Sequence, residues 1–556
     1  MYKLIRDSEG LKEIKVDYTR PIFCDTETCA HEGYAEGGLY GQIRLLQIYQ
    51  AHWDNAYLID IFFVDLDTAL ALIQPGHLIW HNASFDMHTI NCNTEHLWLP
   101  QQLGDTLYLS RLAFPIHRKY GYYDCLKHAG VYHPELDKVS KKSKQVFDWS
   151  KPLLHEHLKY AEYDVTYLCD LYQATNFMED SEIYKLDIQN LTYAIKYDRR
   201  GIPVNMQTVR DKLRKASIEA ELVLENLPVN PNSSVQCQKI LGTTKADVDM
   251  LMKLKLEGNE VAGDILKARQ LIKERMYLTK YNRPKIFGFH NPCGTISGRF
   301  SCTGGQRYGY SNIQQIPRRL LSCLEAPEGH MFVYKDYAGL ELRMAVAWTG
   351  EPTMERLMRN NTDLHTYTGC SIYKKNPEDL SKHERLVGKI LNFTLVYGAW
   401  VPATQAALRS CGVQEDFQTV KAFRNNWLNT YEYFKMWHKM HHDHFRVYGY
   451  KDIETALGRK VRTFSVNDAL NIPIQGSSAE VTKMSLKYLS ERYSSENLVN
   501  TIHDSNCLVV PEDTVDMWVK RLNECMIDAW YYVIKDLAVP DLPMPAEATY
   551  NKTWDF

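Results

Sequence analysis

The sequence predicts a multidomain α/β protein, and three observations carry this. The chain has 556 residues, too many for one hydrophobic core and enough for roughly three or four domains. Through the first third, short apolar runs bounded by polar or Gly/Pro breaks alternate with stretches of helical spacing. Helical periodicity then dominates residues 186–285 and 350–447, with strand-like runs between and after them.

Taken in order, "PIFCDTE", "IRLLQIY", "AYLIDI" and "HLIWH" read as strands, and "PLLHEHLKYAEYDVTYLCDLYQA" as an amphipathic helix. The "NSS" near 232 reads as a turn or helix start. "HNPCGTISGRFSCTGGQRYGYSNIQQIP" is rich in Gly, Ser, Asn and Pro and predicts extended and loop structure at a boundary. "MFVYKDY" is strand-like, and the last hundred residues mix strand and helix. No internal repeat or low-complexity tract is present.

Bulk properties exclude several classes. No apolar run approaches the roughly 20 residues that span a bilayer. The N-terminus "MYKLIRDSEGLKEIKVD" lacks an apolar signal core, so a soluble, cytoplasmic protein of a bacterium or of a phage's host is expected. Thirteen scattered cysteines without a CxxC pair argue for free thiols rather than a disulfide scaffold or zinc ribbon. The net charge of −3 hides an asymmetry. Residues 1–185 carry 17 Lys and Arg against 26 Asp and Glu, a net −9, whereas residues 196–285 carry 18 against 11, a net +7. An acidic module joined to one that meets a polyanion fits this pattern.

Asp25 and Glu27 close the first long strand, and positions i and i+2 of a strand share a face. Adjacent carboxylates repel unless a cation lies between them. Asp86 ends "HNASFD" after another apolar strand. Tyr160 and Asp164 stand four apart on the amphipathic helix, so the phenol and carboxylate project together. Four acids and a tyrosine suit two hard, oxygen-seeking cations. Two such ions roughly 4 Å apart can drive phosphodiester hydrolysis.

"DTE", "NASFD" and "YAEYD" resemble the three motifs of the DEDD-type 3′→5′ exonucleases, in the subclass with Tyr in the third motif. The resemblance implies an RNase H-like fold, two metal ions on Asp25, Glu27, Asp86 and Asp164, a water oriented by Tyr160, and a DNA end held by Asn82. Asp105–Thr106 sits where that family often has the same pair.

In the second half, Arg385, Lys389, Phe393 and Tyr397 recur every four residues and form one helical stripe, with Leu386, Ile390 and Leu391 available for the buried side and Gly398 ending the helix. Two cations in the first turns suit a triphosphate, and an aromatic suits a base or sugar. The spacing Arg-x-x-x-Lys-x-x-x-Phe-x-x-x-Tyr-Gly resembles motif B of the family A DNA polymerases, the O-helix of the fingers. The resemblance implies a deoxynucleoside triphosphate on this face: phosphates at Arg385 and Lys389, sugar and base at Phe393, templating pair near Tyr397.

Further motifs of that family follow in order. "DYAGLELR" resembles motif A, implying Asp336 as a ligand of both catalytic ions and Glu341 as a steric gate against the ribose 2′-hydroxyl. "TIHDS" resembles motif C, implying Asp504 as the second carboxylate and His503 near the primer end. "TISGRFSC", "NIQQIP" and "NIPIQGSSAE" resemble duplex-contacting segments, which assigns DNA contacts to Arg299, Gln314, Asn471 and Gln475. "DLH" places His365 near the phosphates. The sequence departs from the family at Ser505, where Glu commonly follows the motif C Asp, and at Asn467, where many relatives have Arg.

The resemblance covers nearly the whole chain and implies an RNase H-like 3′→5′ exonuclease domain followed by a palm, fingers and thumb polymerase, without a 5′-nuclease domain in front, as in compact phage replicative enzymes. The expected divisions are 1–185 exonuclease, 186–290 thumb, 291–348 first part of the palm, 349–447 fingers and 448–556 second part of the palm. The expected cofactor is Mg²⁺, two ions at each site, with Mn²⁺ as an alternative. The expected partners are primer-template DNA and deoxynucleoside triphosphates, with the protein a monomer, no membrane, and accessory proteins unspecified. His438 and His442 are expected on a helix surface rather than at a zinc site, and "KVSKKSK" at 138–144 reads as a basic loop.

Overall fold

Six strands form the sheet of the first module in the order β1-β4-β3-β2-β5-β6: β1 (Tyr2–Ile5), β2 (Ile22–Cys29), β3 (Gln42–Tyr49), β4 (Ala56–Asp60), β5 (His77–Trp80) and β6 (Gln102–Asp105). β2 lies inside the sheet, antiparallel to β3 and parallel to β5. Its residues alternate as a strand must: Cys24 and Thr26 are buried, while Asp25 and Glu27 keep partial access to water. Six helices pack around this sheet: α1 (Ser8–Glu13), α2 (Leu66–Ile73), α3 (Ala83–Asn93), α4 (Thr106–Ala113), α5 (Tyr122–His128) and α6 (His155–Thr175). The computed structural model describes residues 1–30, 41–116, 119–138, 148–304, 311–545 and 548–555. Most of the "KVSKKSK" run lies outside these.

α7 (Glu182–Arg200) leads away from the first module. Two buried polar clusters fasten it. Asp187 meets Lys483 at 2.5 Å and Arg459 at 2.6 Å, and Asp198 meets His88 at 2.9 Å and His290 at 2.6 Å. These ties join the exonuclease-like module to the chain's second half.

After β7 (Ile202–Pro203), α8 (Met206–Glu225) runs out and α11 (Glu260–Tyr281) returns against it, with α9 (Ser234–Leu241) and α10 (Val248–Leu256) at the far end. Asn205, Ser233, Asp247 and Asn259 each cap one of these helices with a side-chain oxygen. At its base, Lys212 Nζ donates to the Arg319 carbonyl, and Arg319 pairs with Glu274 at 2.8 Å. Short strands follow: β8 (Lys285–Ile286), which pairs with β7, then β9 (Phe289–Asn291) with β10 (Ser301–Thr303).

The second large sheet starts at β11 (His330–Asp336). Helices α12 (Leu340–Thr349), α13 (Pro352–Arg359), α14 (Leu364–Tyr373), α15 (Lys382–Leu395), α16 (Val401–Ser410), α17 (Phe417–Thr430) and α18 (Glu432–Tyr448) follow, matching the helical period of 350–447. The chain returns through the hairpin β12 (Lys451–Glu454) and β13 (Lys460–Thr463), then α19 (Val466–Tyr493), β14 (Leu498–Ile502), β15 (Ser505–Pro511), α20 (Val515–Ile534) and β16 (Thr549–Asn551). The sheet order is β14-β15-β11-β16, all antiparallel. The pairing of β11 with β15 sets Asp336 opposite Ser505, so the end of β11 faces the turn between β14 and β15.

None of the thirteen cysteines is paired, as the sequence predicts. Among the described residues no helix is long and apolar enough to cross a membrane.

Candidate active sites

The first site forms where β2 meets α6. Ligand oxygens of Asp25, Glu27 and Asp164 lie within 4.8 Å of one another. Burial lifts the Asp25 carboxyl to about 7. It lifts Glu27 and Asp164 well above the carboxylate range, with the neighbouring acids adding to the rise. Three carboxyls in one enclosed space resist full ionisation. A hard divalent cation removes that conflict, and an all-oxygen donor set suits one. Asp86 stands apart from this trio. Its Oδ1 accepts a 2.7 Å hydrogen bond from Thr26 Oγ1 on the strand between the two acids. Its charge still reaches the cluster and contributes to the rise at Glu27.

Tyr160 lies one turn before Asp164, and its phenol hydrogen-bonds the Asp164 carboxyl. That negative neighbour and burial push the phenol far above its ordinary range, so it stays a neutral donor. A cleft of about 330 Å³ opens on this group and is lined by Asp25, His81, Tyr122, Tyr123, Tyr160 and Asp164. Asn82 caps α3 in the left-handed region with φ 67°, a conformation asparagine tolerates. The Asp105 carboxylate holds it there, accepting from the backbone N–H of Asn82 at 3.1 Å and of Ala83 at 2.9 Å. Asp105 also caps α4 through Leu107 and Tyr108.

The second site lies at the end of β11. Asp336 and Asp504 have their carboxyls in hydrogen-bond contact, and the Tyr337 amide donates to the Asp504 carbonyl at 3.3 Å. Burial and the charge of Asp336 lift Asp504 to about 8, and burial lifts Asp336 too. Here again an oxygen-only donor pair suits a divalent cation. The turn carrying Asp504 includes His503 at φ 54°, braced by Thr482 Oγ1 of α19 donating to the His503 carbonyl at 3.3 Å. Ser505 is buried, and its Oγ donates to the Ile502 carbonyl at 2.9 Å, so it closes the turn rather than facing the acids.

α15 supplies the cationic face. Ser381 and Glu384 form a capping box at its start. Arg385, Lys389 and Phe393 are exposed along one stripe, while Val387, Ile390 and Leu391 are buried. The buried side therefore includes Val387 and not the half-buried Leu386. Gly388 lets α15 cross α14 closely: a methyl there would collide with the His365 carbonyl oxygen. The regular helix ends at Leu395, so Tyr397 sits in the following turn, not on the helix as its spacing predicts, and Gly398 at φ 73° ends that turn.

In that position Tyr397 donates a short hydrogen bond to Glu341. Glu341 also pairs with Arg299 at 3.2 Å, and Gln475 hydrogen-bonds Tyr397. Arg299, Glu341, Tyr397 and Gln475 thus form one connected network beside the paired aspartates. Arg385 is held by Asp363 at 2.6 Å, and Asp363 caps α14 at His365. The His365 ring lies 5.7 Å from that of Phe393, and burial lowers its pKa to about 4, so it is neutral near pH 7. Gln314 Nε2 and Asn471 Oδ1 are enclosed and meet no hydrogen-bond partner among the described residues. His438 is buried, its Nε2 donating to the Val396 carbonyl at 3.0 Å, so the expected surface position does not hold for it.

Sequence reasoning missed Thr26, Tyr123, Asp363 and the role of Asp105 as a clamp. Asp363 had a readable signal, since it opens the same "DLH" that points to His365. The others depend on packing between distant segments.

Two carboxylate clusters suited to divalent cations, set in separate modules, fit an enzyme with two centres. The comparisons agree: residues 206–555 match the family model "DNA polymerase family A", and residues 2–177 match a 3′-5′ exonuclease model. The chain belongs to DNA polymerase family A and carries a 3′-5′ exonuclease domain. It is 24% identical over 611 aligned positions to DNA polymerase I of Aquifex aeolicus, covering 100% of this chain and 99% of that protein. It is 23% identical to the thermostable DNA polymerase I of Thermus filiformis, covering 73% of this chain but 47% of that protein. The POL domain of Pol1 from M. smegmatis, solved with DNA primer-template and dNTP, superposes with a TM-score of 0.72 at 17% identity, over 96% of this chain and 95% of that one.

Proposed function

We propose that this protein extends a primer 3′ end by template-directed addition of deoxynucleotides and removes mispaired ends with its 3′→5′ exonuclease, in DNA replication or repair. The observation that carries the reading is the joining of Asp336 and Asp504 across the β11/β15 pairing, beside the exposed Arg385–Lys389–Phe393 stripe. In this reading residues 1–185 are the exonuclease, 186–290 the thumb, 291–348 and 448–556 the palm, and 349–447 the fingers.

In this reading Asp336 and Asp504 would hold two divalent ions, Mg²⁺ or Mn²⁺, and Asp25, Glu27, Asp164 and, through the oxygen not bonded to Thr26, Asp86 would hold two more. When bound, such ions would lower the pKa of the attacking oxygen and neutralise charge developing on the phosphate and leaving group. The primer 3′-hydroxyl attacks the α-phosphorus and pyrophosphate leaves. Lys389 and Arg385 bind the triphosphate, and Lys389 stabilises the charge that develops on pyrophosphate. To do so Arg385 trades Asp363 for phosphate. Glu341, fixed by Arg299 and Tyr397, occupies the space a ribose 2′-hydroxyl would need. Gln314, Asn471, Gln475 and Arg299 present polar groups to the duplex minor groove, whose acceptors are similar for every pair. His503 lies at the primer end. In the exonuclease site Tyr160 orients water towards the terminal phosphodiester, and Asn82 holds the frayed end.

Primer extension tests this reading. A 5′-labelled primer on a longer template lengthens with Mg²⁺ and all four deoxynucleotides, one base at a time when only the next complementary nucleotide is supplied. Extension independent of the template would overturn it.

A further inference from the structure

The far end of the proposed thumb touches the proposed fingers. α10 packs against α16, and the two enclose a cavity of about 290 Å³. Asp247, Asp249, Met252 and Lys253 line it from one side, Ala406 and Arg409 from the other. Each partner is firmly held in its own body. The thumb end has its own core of Cys237, Ala246, Leu251, Ala262 and Ile265, and Arg269 of α11 ties it together by donating to the carbonyls of Pro231 at 2.6 Å and Ala246 at 2.8 Å. α16 is packed through buried Val401, Thr404 and Leu408, and Gln405 Nε2 donates to the Glu415 carbonyl at 2.8 Å.

The contact between them is of another kind. Among the described residues, no hydrogen bond or ion pair crosses it, Val248 remains 60% exposed, and Lys253, Ala406 and Ser410 are exposed. Two rigid bodies joined by a small, open contact can part and rejoin without unfolding either. Arg409 lies across from Asp247 and Asp249, with Lys245 and Lys253 on the acids' own side, so the charges at the contact are mixed and screened by salt.

The contact closes a circuit. From α10 the chain runs back through α11, about 33 Å long for its 22 residues, to the palm strand bearing Asp336, and then out through α12 to α15 and α16. We infer that α10 and α16 form a latch that closes a ring around the primer-template, letting this chain stay on DNA through many additions without a separate clamp. The inference rests on the polymerase reading above. It assigns a further function, topological retention, to residues outside both acid sites.

The test joins the two sides covalently. In full-length protein with exposed Cys411 changed to Ser, Lys253→Cys and Ala406→Cys are bridged by a bismaleimide after loading on a primed single-stranded circle. The covalent loop from residue 253 to 406 follows the ring, so bridged protein stays with the circle in SDS and leaves when the circle is cut. Bridging before loading blocks binding to circles but not to primed linear DNA with free ends. If DNA-bound protein does not bridge, or bridged protein separates from intact circles in SDS, the latch is refuted. Uncrosslinked protein is first shown to extend the same primer, so failure of the polymerase reading is seen separately. As a second variant, Arg409→Glu shortens the product made per binding event at least threefold in the presence of a DNA trap, with single-nucleotide addition unchanged. Unaltered product length would also overturn the inference.

Discussion

Removing the Asp187 carboxylate tests how the catalytic turn is supported. Asp187 on α7 meets Lys483 of α19 at 2.5 Å and Arg459 at 2.6 Å, and the three side chains are 0%, 0% and 4% exposed. The two cations outweigh burial and hold Asp187 below its ordinary pKa, so it is charged at neutral pH. Asp187→Asn leaves two buried cations facing a neutral amide. Removing one partner of a buried ion pair costs about 3–5 kcal/mol. Unfolding entropy of about 2.1 cal/mol/K per residue gives roughly 0.7 kcal/mol/K for a unit the size of the family-matched segment, residues 206–555. The melting temperature should therefore fall by about 4–7 °C. Because α19 also braces the His503 carbonyl through Thr482, primer extension should weaken before the protein melts. A triple variant, Asp187→Leu with Arg459→Met and Lys483→Met, should recover part of the melting temperature, since it removes the unpaired cations and leaves only Glu480, a buried carboxyl already pushed up to about 7. Differential scanning calorimetry reads both. A fall of less than about 1 °C in Asp187→Asn would refute the reasoning.

Three further predictions follow from particular contacts. His290 has its pKa raised to about 10 because the charge of Asp198 outweighs burial, so its stabilising contribution is full below the ordinary 6.5 and is lost as pH rises towards 10. Wild-type melting temperature should thus drop between pH 7 and 10 more than that of His290→Gln, and equal slopes would count against the buried pair. Glu341→Ala empties the space beside the sugar and should raise ribonucleotide incorporation at least tenfold in a single-nucleotide assay, while unchanged discrimination would remove Glu341 as the gate. Phe393 lacks the hydroxyl of a tyrosine, so dideoxynucleotides should be rejected, and Phe393→Tyr should narrow the gap; equal use of both nucleotides by the unaltered protein would contradict this.

Local rules carried much of the fold and site. Alternation along "PIFCDTE" places Asp25 and Glu27 on one accessible face, and four-residue spacing joins Tyr160 to Asp164 and sets Arg385, Lys389 and Phe393 on one stripe. Periodicity does not tell where regular helix stops, and Tyr397 falls two residues past the end of α15. It could not orient Asp86 on α3 either, because Thr26 of β2 hydrogen-bonds its carboxyl. The Asp187 and Asp198 clusters, the clamp of Asp363 on Arg385 and the approach of α10 to α16 all join residues far apart in the chain. Side chains of that kind look like ordinary surface charges until tertiary packing sets their partners.

In the proposed reading, one chain holds two independent acid centres with opposite effects on a primer. That reading is tested most directly by following one labelled primer-template with Mg²⁺, with and without deoxynucleotides, in the wild type and two variants. Asp336→Ala should lose extension and keep shortening, and Asp25→Ala should lose shortening and keep extension. If either substitution abolished both activities in a folded protein, or neither, the assignment of two separate centres would be contradicted.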